Sequence, residues 1–170
     1  MPTAVSNASP LIHLAAVGQF ALLRALFIEV WISPAVWREV VEQGHGRWGA
    51  REVERAIAEG WLRVRPLDQS SLAAALWRDL HDGEAETIAL AVQERPDVVL
   101  LDEFEARRAA AVQGLTRTGV VGILLRAKRE GKIPFVRESL DRLRTEAGFW
   151  IDDFLYLTAL AAAEEAREGM

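Results

Sequence analysis

Four apolar residues in a row, Val98-Val99-Leu100-Leu101, run directly into Asp102. A strand of this kind has no polar face to offer to water, so both of its faces need cover. That is the situation of an interior strand in a parallel sheet, and it requires helices above and below. The remaining chain supplies both kinds of element. Residues 3–7, 28–32, 61–64 and 115–118 read as further short strands, with 61–64 an edge candidate ended by Pro66. Ser9-Pro10 and Ser33-Pro34 each read as a capping serine followed by a first-turn proline, and so as helix starts. Further helices are expected over 19–27, 50–59, 70–79, 84–94, 103–113 and 119–129, several of them closed by Gly60, Pro96, Gly114 or Gly131. A last helical region opens at Pro134, breaks at Gly148 and resumes over 152–168. Strands joined by helices make right-handed βαβ units. The expected fold is one three-layer α/β/α domain over 1–170, with a central mostly parallel sheet and a helical C-terminal part from 134 to 170.

The chain has 170 residues, a length that suits a single domain. It contains no Cys, which excludes a disulfide framework, a zinc finger and a thiol nucleophile, and fits a reducing, cytoplasmic location. Hydrophobic residues make up 51% and the net charge is only -5, which excludes intrinsic disorder. No run approaches the ~20 apolar residues of a membrane helix. The longest candidates are broken by Arg24, Glu29 and Arg38, and the N-terminus lacks the basic start of a secretion signal. Neither phosphate-cradling glycine motif, Gly-x-x-x-x-Gly-Lys-Ser/Thr or Gly-x-Gly-x-x-Gly, occurs after a strand, which argues against a nucleotide-binding domain.

In an open α/β sheet, ligands bind beyond the carboxyl ends of the strands. Asn7 ends the first strand, and Asp102 ends the 98–101 run with Glu103 and Glu105 behind it. Helices add Glu39 and the pair Glu84 and Glu86. Each acid has a plain alternative role: Glu84 as a helix-start acid, Asp102 as an N-cap, Glu39 as a solvated surface residue. Together they form an acidic convergence with no matching Lys, Arg or His cluster. Crowded carboxylates repel unless a cation lies between them. With Cys absent and His sparse, the fitting guest is a hard divalent ion, Mg2+ or Mn2+.

Five segments together resemble one family. Ser6-Asn-Ala-Ser-Pro-Leu-Ile12, Gly83-Glu-Ala-Glu86 with Ile88-Ala-Leu-Ala91, Leu101-Asp102 with Ala106-Arg-Arg108, Gly119-Val-Val-Gly-Ile-Leu124 and Gly148-Phe-Trp-Ile151 occur, in that order, in a subgroup of PIN-domain proteins. The resemblance implies a metal-dependent ribonuclease fold, often the toxin of a VapC-type toxin–antitoxin pair. Carried over position by position, it implies catalytic roles for Asn7, Glu39, Glu84 and Asp102. The metal set would be Asn7, Glu84 and Asp102, with Glu105 (or its neighbour Glu103) as a further ligand. The interval to Asp102 favours Glu84 over Glu86. The chain departs from the family at its first position, where active members usually carry Asp and this subgroup often carries Asn. An amide oxygen coordinates a hard cation but brings no charge.

The partners expected on this reading are RNA, a small antitoxin protein and a second copy of the chain, with no membrane. The alternative is a catalytically weak PIN-like module that binds RNA or protein. Residues 117–144 hold eight Lys/Arg and three acids, a local +5 against -10 elsewhere. Arg107, Arg117, Lys128 and Arg129 are therefore candidate RNA contacts. His13 reads as a satisfied core residue. The six Trp read as core or interface anchors rather than stacking platforms.

Overall fold

The computed structural model describes residues 1–68 and 71–165. Five strands, β1 (Thr3–Ser6), β2 (Glu29–Ile32), β3 (Leu62–Val64), β4 (Val98–Leu100) and β5 (Arg117–Thr118), form one sheet in the order β3-β2-β1-β4-β5. Every neighbouring pair is parallel. The apolar run at 98–101 is an interior strand, as its composition requires, with Val5 opposite Val99 and Ser6 opposite Leu100. The chain builds β1, β2 and β3 outward in one direction, then crosses back to lay β4 and β5 on the other side. The reversal between β1 and β4 opens a crevice at their carboxyl ends.

The connections are α1 (Ala8–Ala16), α2 (Leu22–Leu26), α3 (Pro34–Trp37), α4 (Ala50–Glu59), α5 (Ser71–Leu76), α6 (Asp82–Glu94), α7 (Phe104–Val112) and α8 (Val120–Arg129). The chain then continues through α9 (Arg137–Thr145) and α10 (Asp153–Ala162). Strand alternation decides which helices cover which face. Ala4, Val30, Ile32 and Leu100 point into the larger core, with Leu11 and Leu14 of α1, Leu23 of α2 and Ile123 and Leu124 of α8. Val5, Val99 and Leu101 point the other way, onto Ile88 and Leu90 of α6 and Ala106 and Ala110 of α7. Those two layers and the sheet make the three-layer α/β/α architecture.

Several element boundaries differ from the sequence expectation. The first helix begins at Ala8, so Asn7 is its N-cap and Ser9 lies inside the first turn. The helix expected over 19–27 shortens to Leu22–Leu26, and that expected from Pro134 starts at Arg137. The C-terminal helix stops at Ala162, and Glu164 adopts a positive φ of 62°. The expected end at 166–168, like Ser70 at the start of the fifth helix, lies outside the described residues. None of the six Trp is fully buried; Trp48, Trp77 and Trp150 are exposed, and Trp61 packs on Phe20 at the core margin. Strands of two to four residues give the core width for Leu, Ile and Val, while bulkier indoles settle at its edges. Among the described residues, no helix is long and apolar enough to cross a membrane.

The basic segment is used largely to hold the fold. Arg142 donates to the carbonyls of Ala16 and Val17 at the end of α1, and Arg126 to that of Leu26 at the end of α2. These are the unpaired carbonyls that every helix leaves at its C-terminus. Arg144 donates to the Ile151 carbonyl and to Asp153. Lys128 pairs at 2.8 Å with Glu165, which is buried and also accepts from the backbone N–H groups of Val136 and Arg137.

Candidate active site

The crevice between β1 and β4 begins at Asn7. As N-cap of α1, Asn7 would ordinarily turn its side-chain oxygen back onto the helix start. Its side chain makes no such bond, and Pro10, the third helical residue, has no N–H to offer. The amide instead points away from the helix start: Nδ2 donates to Glu103 Oε2 at 3.3 Å, while Oδ1 is buried with no hydrogen-bond partner among the described residues. An orphaned acceptor of this kind is uncommon and calls for a missing partner. Ser9, two residues further on, donates from Oγ to the other Glu103 oxygen.

Gly83 at the start of α6 closes the crevice from the other side. A Cβ there would lie 3.0 Å from Glu39 Oε2 and 3.4 Å from Asn7 Oδ1. The gap that the missing side chain leaves is therefore bordered by two oxygens. Glu39 reaches it from a wide helical turn over Arg38–Glu42 that continues α3, where Gln43 N–H donates to the carbonyl of Arg38, five residues back, at 2.7 Å. Such one-residue insertions are frequent at functional positions. Glu84 follows Gly83 and accepts from the N–H of His81 at 3.3 Å, so the helix-start role and a cleft-facing role fall on the same residue.

Electrostatics binds these carboxylates into one group. Glu39 is exposed on the rim, but partial loss of water around its carboxyl raises its pKa, and Glu103 and Glu84 raise it further against a smaller pull from His81. Burial also raises that of Glu84, and Glu103 adds to it, opposed by the His81 N–H and the His81 charge. Glu86, the other acid of the pair, is buried elsewhere, 3.8 Å from Arg38. Burial is the main cause of its raised pKa, partly offset by Arg38.

Asp102 and Glu103 are consecutive but diverge. Asp102 accepts from His13 Nδ1 at 2.9 Å and from the Val120 N–H at 2.7 Å, and its side chain is only 4% exposed. Both oxygens are engaged on the α8 side. The structure thus gathers Asn7, Glu39 and Glu84 and adds Glu103, while Asp102 faces its own partners and Glu105 lies exposed on α7. His13 is satisfied, as expected, but by Asp102 rather than by an apolar surround. The contacts of Ser9 and Gly83 and the pairing of His13 with Asp102 were not apparent from the sequence, because each acts across 44 to 94 residues of chain through contacts that no local pattern encodes.

The donor set fits a hard cation. All the candidate donors are oxygens, one neutral and three carboxyl, as Mg2+ and Mn2+ prefer. Two observations independent of composition support the fit: the unpartnered Asn7 Oδ1 and the side-chain-free gap at Gly83. Among the described residues, no three His, Cys, Asp or Glu form a ready-made cage. Mg2+ does not need one, since it uses one or two carboxylates and keeps several waters. Outside the gap the crevice opens into a cleft of 560 Å3 walled by Arg38, Glu39, Gln43, His81 and Asp82.

A family described as PIN domain matches residues 3–165. The chain belongs to the PIN-domain family. No curated protein matches it. PIN domains are generally divalent-metal-dependent nucleases, so membership suggests nuclease activity in general. The carboxyl-end crevice of this PIN domain is where its acids converge.

Of the four cations expected at RNA, only Arg107 borders the Asp102 side of this crevice. Arg117 is exposed on the edge strand β5. Lys128 and Arg129 occupy the last turn of the ten-residue α8, which begins at the crevice. At 1.5 Å per residue that places them about 12–14 Å away, toward the opposite end of the sheet.

Proposed function

We propose that this PIN domain is a Mg2+- or Mn2+-dependent endoribonuclease, and that Asn7, Glu39, Glu84 and Glu103 form its working site. The observation that carries the reading is the pairing of an unpartnered Asn7 Oδ1 with an open gap at Gly83, within an all-oxygen acidic group. Asn7 Oδ1, Glu84 and Glu103 would hold the ion. When bound, such an ion supplies charge stabilisation to a phosphodiester and makes water a stronger nucleophile. Glu39, with its raised pKa and its place on the rim, would accept a proton from that water or orient it. Ser9 holds Glu103 in position by its hydroxyl, and Asn7 Nδ2 does the same from the other side. Asp102 takes the role of a positioning residue, because both of its oxygens are committed to His13 and Val120.

Within the family we assign the chain to the toxin class of a toxin–antitoxin pair, on the order and spacing of its motifs. A small antitoxin protein and a second copy of the chain are its proposed partners, and the cytoplasm its location. The exposed apolar side of α10, with Phe154 and Leu157, is available to either protein partner. The neutral Asn7 favours a second reading, a muted PIN module that works by binding.

One experiment separates the two. A mixed RNA pool is incubated with Mn2+ or Mg2+, with EDTA as control, using wild type, Glu84→Gln, Glu103→Gln and Asp102→Asn. Metal-dependent cutting lost in both Glu variants supports the nuclease reading. No cutting, with no ion binding by calorimetry, supports the binding module.

A further inference from the structure

On the other side of the β4 end, a smaller hollow of 240 Å3 lies against Asp102, Arg107, Thr118, Gly119, Gly122 and Phe149, with Val121 and Leu155 completing its apolar wall. Its construction follows from Asp102. One Asp102 oxygen holds the first N–H of α8, which sets Gly119 and Gly122 as a bare ledge. The other holds His13, whose ring packs on Phe149 with centroids 4.5 Å apart. Side chains on the ledge are excluded: a Cβ at Gly119 would come within 2.6 Å of Asp102 Oδ1 and 3.1 Å of Arg107 Nη1, and one at Gly122 within 2.1 Å of Thr118 Oγ1. Arg107 is half-buried, and among the described residues its guanidinium has no ion-pair or hydrogen-bond partner. A guanidinium carries five donors and no acceptor, so this partly exposed one is open to the acceptors of a ligand.

We propose that this hollow receives one unstacked guanine base of the RNA, from the nucleotide beside the phosphodiester in the acidic cleft. The placement beside the cut rests on the nuclease reading; the base pocket does not. A hollow lined by two glycines and a phenyl ring has an apolar wall that suits a base, and single-stranded RNA is commonly read by bases splayed out onto such surfaces. The donors of Arg107 select the base. Guanine presents O6 and N7 side by side, the commonest bidentate partner of Arg, whereas adenine puts an amino group next to N7. A bare phosphate fits poorly, because the hollow is mostly apolar and Asp102 contributes a negative charge to its wall.

The test uses the whole chain in EDTA, so that no ion in the acidic cleft contributes. GMP, AMP, CMP, UMP and inorganic phosphate are titrated while amide shifts of Gly119, Gly122 and Phe149 are followed by NMR. GMP should move these signals and bind roughly ten- to hundredfold tighter than AMP, the discrimination expected of one bidentate contact. Arg107→Gln should abolish the preference with an unchanged melting curve, since Arg107 holds no other group. Phe149→Leu should weaken all bases alike, and Glu84→Gln should change nothing. Equal binding of all nucleotides, a preference for another base, competition by phosphate alone, or no shift at millimolar GMP each overturns the proposal. GMP binding by a chain that cuts no RNA would keep the pocket and reject the nuclease. RNA cutting without GMP binding would do the reverse.

Discussion

Replacing Asn7 by Asp tests the crevice most directly, because it restores the charge usual at that position. Asn7 is 3% exposed, and its Nδ2 is 3.3 Å from Glu103 Oε2. Asn7→Asp exchanges that hydrogen bond for a contact between two carboxylates. At an effective dielectric of about 20, charges about 5 Å apart, as two such carboxyl centres would be, repel by about 3 kcal/mol. Losing the hydrogen bond adds roughly 1 kcal/mol. Proton uptake by the pair limits the total, so about 3 kcal/mol is expected near neutral pH. For a chain of this size, that is a fall in Tm of roughly 6–12 °C. The assay is a thermal melt in EDTA and again with Mn2+. In EDTA the variant should melt well below wild type. With Mn2+ most of the difference should vanish, with the ion binding tighter than to wild type and cleavage rising. If Asn7→Asp melts like wild type in EDTA, the residue does not face the carboxylates and the site as drawn is wrong.

The remaining predictions concern the same crevice and the supports around it. Gly83→Ala should weaken Mn2+ binding by calorimetry, because its methyl would lie 3.0 Å from Glu39 Oε2 and 3.4 Å from Asn7 Oδ1. The pH dependence of stability should split by residue. Glu84 has a raised folded pKa, so its contribution is fully present below the ordinary carboxylate range and is lost as pH rises through the folded value. In EDTA, Glu84→Gln should therefore gain on wild type toward neutral pH. In Glu165, burial alone would raise the pKa, but the bonds from Lys128, Val136 and Arg137 hold it below its usual value. Its contribution is present above the ordinary range and is lost on acidification, so Glu165→Gln should lose most at neutral pH in urea melts. Glu165→Ala, which strands the Val136 N–H, should cost about 2–4 kcal/mol. Arg129→Ala should leave RNA cutting unchanged in a gel assay, since Arg129 is exposed on the last turn of α8, far from the crevice.

How much of this was legible in the sequence depends on how local each cause is. The run 98–101 could only be an interior parallel strand, and its ladder with β1 follows. Ser33 capping Val36 and Gly60 closing α4 with a φ of 86° are also local, and both fall where the residues indicate. Asn7 and Glu84 could be picked out because strand ends and helix starts are the places where a sheet of this kind binds ligands. What remained hidden was direction. β4 ends at Leu100, so the alternation of the strand no longer fixes which way Asp102 and Glu103 point. That is settled by Ser9 and Asn7 on one side and by His13 and Val120 on the other, all distant in sequence.

Charge counting leaves the use of each cation open for a related reason. A local +5 suggests a phosphate path, yet net charge says nothing about the acceptors within reach. Residues 117–144 contain α8 and α9, which lie against α1 and α2, so Arg126 and Arg142 meet carbonyls that those two helices leave open. A guanidinium stem of that length spans the gap between layers, and capping a helix end uses its fork fully. Arg107 is the informative contrast. It sits outside the basic segment, next to an acidic strand end, where a pairing with a carboxylate would be the plain expectation, and among the described residues it makes none. A cation that the fold leaves half-buried and unpaired is a stronger sign of an RNA contact than several that the fold has already used.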